Sequence, residues 1–83
     1  MTPQQIKDVI VSEFKVKESF RNIDLDADYF DLGVSSLTIV GLQVRVEEKL
    51  GVNLSTRELM GLSTINQWVA TYVAKAGQSL ATA

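Results

Sequence analysis

Three times along this chain a hydroxyl residue is followed three positions later by a side chain that can reach back to it, Thr2 with Gln5, Ser55 with Glu58 and Thr64 with Gln67, and each pair stands at the head of an apolar run. That spacing is a capping box, in which hydroxyl and carboxamide or carboxylate satisfy each other's orphan backbone amides. A fourth start, Ser35-Ser36, leads the longest run, Leu37 to Leu50, which closes on Lys49 and Gly51. Four helix starts and no alternating strand pattern within 83 residues restrict the chain to one small all-α domain.

The first helix opens with Pro3 at its first position and carries Ile6, Val9, Ile10 and Phe14 on one stripe to about Lys15. From Val16 to Val34 the periodicity fades into a long ordered loop pinned by Ile23, Leu25, Phe30 and Leu32. In the second helix Leu37, Val40 and Val44 form one row and Ile39, Leu42, Val46 and Leu50 another, more than one core contact needs. Leu37 and Val44 are therefore the apolar candidates for a partner, and Val40, Leu42, Val46 and Leu50 those for the core. Gly61 cuts the third helix to one or two turns, and the last carries Ile65, Trp68, Val69, Tyr72 and Val73 to an end near Lys75 and Gly77. Trp68 and Tyr72 read as core. The domain is expected over 1–77, with a loose tail over 78–83.

With no cysteine and no histidine, the chain offers no disulfide, no thiolate nucleophile, no Cys/His metal site and no imidazole base. A net charge of −2 has the wrong sign for a nucleic-acid surface. Its apolar stretches are too short to cross a membrane and its first residues form no signal core, so a cytoplasmic monomer is expected. Asp24, Asp26 and Asp28 resemble the opening of a calcium loop, but Tyr29 stands where the turn glycine belongs and Ser35 where the bidentate glutamate belongs. Those aspartates are expected to cap turns.

The informative stretch is Tyr29-Phe30-Asp31-Leu32-Gly33-Val34-Ser35-Ser36-Leu37. It resembles the phosphopantetheine attachment motif of acyl and peptidyl carrier proteins: two aromatics, two residues, Gly, two residues, Ser-Leu. Leu50-Gly51-Val52-Asn53-Leu54 resembles the family's turn after its second helix, and Ser63-Thr64-Ile65 the opening of its last. The resemblance implies a four-helix carrier bundle with a long loop between helices I and II and a short helix III. It implies 4'-phosphopantetheine carried on Ser36, with Gly33, Ser35 and Leu37 around it, placed there by a phosphopantetheinyl transferase from coenzyme A with magnesium. It also implies a protein that is no enzyme and tethers acyl or aminoacyl groups as thioesters. Its partners would be a loading enzyme and downstream synthase, acyltransferase or condensing enzymes.

As N-cap, Ser35 would accept from a first-turn amide and leave the Ser36 hydroxyl free to point outward, where an anion would lie beside unpaired amides and the positive end of the helix dipole. The family more often has aspartate before the modified serine. Serine caps equally well, and with Phe30 it leans toward polyketide or nonribosomal peptide synthesis; a single carrier domain is expected to work as a free-standing carrier there. The alternatives are a carrier of primary fatty acid synthesis and an unmodified helical interaction module. Partner contacts are expected along the second helix at Leu37, Gly41, Val44, Arg45, Glu47 and Glu48, where the charges of Arg45 and Lys49 offset the two glutamates.

Overall fold

The computed structural model describes residues 1–82, with side chains as far as residue 77. Helix α1 spans Pro3–Val16, a 3-10 turn follows at Glu18–Phe20, and α2 (Ser36–Leu50), α3 (Thr56–Met60) and α4 (Ile65–Thr82) complete the bundle, with no strand among the described residues. The all-α, four-helix architecture with a long α1–α2 loop and a short α3 is the one expected.

The helices start where the hydroxyl residues stand. Thr2 Oγ1 accepts from the Gln5 amide at 3.2 Å while Gln5 Oε1 accepts from the Thr2 amide at 2.8 Å. Ser55 and Glu58 repeat the exchange at 3.1 Å in both directions, and Thr64 and Gln67 at 3.0 and 3.2 Å. Helix α2 ends at Gly51, whose φ of 68° is the left-handed cap that glycine takes without steric cost. Gly77 is a different case. It keeps a negative φ, and α4 continues through it to Thr82, because one interior glycine costs about 1 kcal/mol against alanine and supplies no stop of its own. The helix end expected near Gly77 is corrected accordingly, and the side chains of the expected tail, 78–83, lie outside the described residues.

Helix α1 packs against both α2 and α4. Its Ile6, Ile10 and Phe14 meet Ile39, Leu42 and Val46 of α2 and Ile65, Trp68 and Tyr72 of α4 in one buried cluster, joined by Phe20, Tyr29, Leu54 and Leu59. Phe14 lies at its aromatic centre, edge-on to Phe20 at 5.1 Å and to Trp68 at 4.8 Å.

The α1–α2 loop is tied down by the start of α4. The Asn66 amide donates to the Leu25 carbonyl at 3.0 Å, Asn66 Nδ2 donates to Asp26 Oδ1 at 2.6 Å, and the Tyr29 amide donates to the Ser63 carbonyl at 3.0 Å. Asp24 Oδ1 accepts from the Asp26 amide, and Asp28 Oδ1 from those of Phe30 and Asp31, so these two carboxylates cap turns as expected, whereas the Asp26 carboxylate reaches across to Asn66 of α4 instead. Tyr29 is fully buried; its hydroxyl donates to the Leu62 carbonyl at 3.0 Å and accepts from Trp68 Nε1 at 2.8 Å. Burial pushes its pKa above the ordinary tyrosine value, against the opposing pull of the Trp68 bond.

Candidate functional site

The segment from Tyr29 to Ser35 is a short strap between that buried anchor and α2. The amides of Leu32 and Val34 both donate to the Tyr29 carbonyl and that of Gly33 to Phe30, at 3.1 to 3.2 Å. Gly33 has φ 90°, and a Cβ there would meet nothing within 4 Å. Backbone sign, not space, is what demands glycine.

The strap delivers Ser35 in extended conformation as the N-cap of α2, its Oγ accepting from the Thr38 amide at 3.3 Å and lying 3.1 Å from Thr38 Oγ1. Ser36 is therefore the first helical residue. It is exposed, and among the described residues nothing bonds its hydroxyl or accepts from the amides of Ser36 and Leu37. A free hydroxyl beside two unpaired amides is a mount for a phosphate ester, favourable by about 0.3–1 kcal/mol from the helix dipole. The donor chemistry at this helix start thus fits a phosphodiester-linked group.

Beyond its first turn, α2 divides its residues sharply. Ile39, Leu42, Gln43 and Val46 are buried, whereas Leu37 is 81% exposed, Val44 53% and Val40 37%. Val40, expected in the core, lies instead with Leu37 and Val44, because the row it shares with them faces away from α1. Gly41 and Glu48 are exposed on the same helix.

Two other charged residues expected on that face are placed differently. Glu47 turns inward: its Oε2 accepts from the Leu54 amide at 2.8 Å, the Tyr72 hydroxyl at 2.8 Å and Gln43 Nε2 at 3.1 Å, while Gln43 Nε2 also donates to the Leu54 carbonyl at 3.0 Å. It joins α2, the α2–α3 connection and α4. Burial first, and Glu47 second, raise the Tyr72 pKa well above the tyrosine range. Arg45 is only half-exposed, with Nε 3.9 Å from Glu13 Oε2, and Lys49 Nζ lies 2.9 Å from Glu13 Oε1. Glu13 itself is a buried carboxylate on α1. The cations of α2 thus lean toward α1 rather than forming a purely solvated face.

Sequence reading missed the burial of Glu13 and Gln43. A signal was present, since Glu13 falls on the Ile6–Ile10 stripe and Gln43 on the row of Ile39 and Val46, so the helical period alone turned both inward.

No helix among the described residues is long and apolar enough to cross a membrane. A search of curated proteins finds no match to the chain. The sequence profile of the phosphopantetheine attachment site matches residues 4–72, from the first turn of α1 to the last buried aromatic of α4. Since that match takes in the strap, the cap and every helix, the chain belongs to the phosphopantetheine-binding carrier proteins, which are not enzymes but hold 4'-phosphopantetheine covalently and meet transferases and synthases in doing so.

Proposed function

We propose that Ser36 is the attachment residue and that the arm it carries tethers acyl or aminoacyl intermediates as thioesters, in polyketide or nonribosomal peptide synthesis. The observation that carries the reading is the exposed, unbonded Ser36 hydroxyl at the first position of α2, beside unpaired amides and at the end of a strap anchored by Tyr29. In the transfer, the Ser36 oxygen forms a new bond to the pantetheine-side phosphorus of coenzyme A. The P–O–P bond breaks and adenosine 3',5'-bisphosphate leaves. The hydroxyl proton passes to a base on the transferase, because this chain has no histidine to take it. Incubation with coenzyme A, magnesium and a broad-specificity transferase, followed by intact-protein mass spectrometry, tests the assignment: one arm per chain supports it, and a folded protein with none makes it an unmodified interaction module.

The partner face consists of Leu37, Gly41, Val44 and Glu48, with Val40 at its edge. What supports a specialised pathway over fatty acid synthesis is the charge of this face, where one glutamate remains after Glu47 turns inward and both cations lean toward Glu13. Recognition then depends on apolar contact more than on steering, so rising salt has little to screen. Val44→Asp is expected to cut loading by the cognate acyl- or aminoacyl-loading enzyme at least about tenfold, the loss of one central apolar contact, without lowering the melting temperature. A steep salt dependence, or a larger loss from Glu48→Gln, would show the interface to be electrostatic.

A further inference from the structure

Upstream of the Ser35 cap, the strap bonds mainly to itself. The amides of Phe30 and Asp31 go to the Asp28 carboxylate, those of Leu32 and Val34 to the Tyr29 carbonyl and that of Gly33 to Phe30. Leu32, expected to pin the loop, is 63% exposed, and Phe30 and Val34 are only partly buried against the core. Among the described residues, every hydrogen bond from residues 29–34 to the body of the fold is made by Tyr29: its amide donates to Ser63, and its hydroxyl bonds Leu62 and Trp68. An indole N–H can only donate and a carbonyl can only accept, so the Tyr29 proton has to point at Leu62. Trp68, Tyr29 and the Leu62 carbonyl thus form one directed chain, in which each bond strengthens the other.

We propose that Tyr29 is a positioning residue for arm attachment: its hydroxyl fixes the strap to the α3–α4 connection, and the strap in turn holds Ser36 at the head of α2 for the transferase. The inference rests on attachment at Ser36 and goes beyond it by assigning a role to a group that never touches the arm. The hydroxyl matters apart from the ring. A phenylalanine ring would fill the same space beside Phe14, Phe20 and Phe30, but it would leave the strap held by the Ser63 bond alone. One bond is a pivot; a second, made to the neighbouring carbonyl from the opposite end of the residue, stops the segment from turning. A transferase that meets a turning strap has to order it on binding, and that cost weakens its hold on the carrier. Once seated, the Ser36 hydroxyl reacts as before. Loss of the tether therefore falls on KM rather than on kcat.

The experiment measures arm transfer from coenzyme A by a broad-specificity transferase at varied carrier concentration, together with backbone amide exchange, for the parent, Tyr29→Phe and Tyr72→Phe at neutral pH. Tyr72→Phe deletes the same kind of buried hydroxyl, one that bonds Glu47 and has no bond to the strap. Tyr29→Phe is expected to raise KM for the carrier about three- to tenfold, the worth of one neutral hydrogen bond, with kcat within about twofold. Its Leu32 and Val34 amides should exchange faster by a similar factor. Tyr72→Phe should leave KM and those amides within about twofold of the parent. Equal rises in KM for the two variants would reduce the effect to general stability and overturn the proposal, as would an unchanged KM or a loss confined to kcat in Tyr29→Phe. If Tyr29→Phe does not fold, the parent decides. Its Leu32 and Val34 amides are expected to exchange at least about tenfold more slowly than that of Asp31, which bonds a carboxylate at the surface, and equal rates would overturn the tether while leaving attachment standing. A folded parent that takes up no arm would overturn attachment at Ser36 and this inference with it.

Discussion

Ser36→Ala is expected to take up no arm at all, while Ser35→Ala takes up one and unfolds more easily. The two serines are adjacent but perform different tasks. Ser35 Oγ holds the Thr38 amide, and removing a helix N-cap costs about 1 kcal/mol. The Ser36 hydroxyl bonds nothing among the described residues, so its loss should leave stability within about 0.5 kcal/mol of the parent, as for other surface changes. Mass spectrometry after transferase treatment reads the first difference and urea melts the second. An arm on Ser35, or equal stability losses, would place the start of α2 one residue away from where it is described.

Glu47→Leu is expected to cost about 2–4 kcal/mol, because it strands the buried Tyr72 hydroxyl and the Leu54 amide without an acceptor. Against a total stability of about 5 kcal/mol for so small a domain, that leaves about 1–3 kcal/mol, so from under about 1% to about 15% of the variant would be unfolded at ambient temperature. Glu47→Gln keeps an acceptor oxygen and should lose less, and Glu48→Gln almost nothing. Chemical denaturation of the three separates a buried hub from a surface charge; similar losses for Glu47→Leu and Glu48→Gln would refute it. The same network bears on pH. Burial, and after it the bond to Glu47, raise the Tyr72 pKa above the ordinary tyrosine value, so the folded state holds that proton more tightly than the unfolded chain does. Its contribution is intact below the unfolded value and lost as pH rises above it, making alkaline unfolding the side on which Tyr72→Phe should help.

What could be read from the sequence was what is decided within a few residues. Caps at Thr2, Ser35, Ser55 and Thr64, and the left-handed stop at Gly51, each depend on partners inside one turn, and all stand where expected. What could not be read was decided by distant partners. Glu47 looks like any surface glutamate until Leu54 and Tyr72 are brought to it, and Arg45 looks solvated until α1 presents Glu13. Val40 shows the same limit on the apolar side, since a period says which residues share a row but not which of two rows the bundle covers. Gly77 errs the other way: a local stop signal was outweighed because the backbone there kept ordinary helical φ.

The packing of α1 against α4 has a consequence for how the protein is made. Phe14 has as its edge-on neighbour Trp68, which is synthesised more than fifty residues after it, and the loop between α1 and α2 is tied to Ser63 and Asn66. A nascent chain that has released α1 and α2 from the ribosome still lacks α4, the second helix on which α1 closes. The core therefore closes only after translation has passed Tyr72, and until then the side of α1 that meets α4 is left to solvent or to a chaperone.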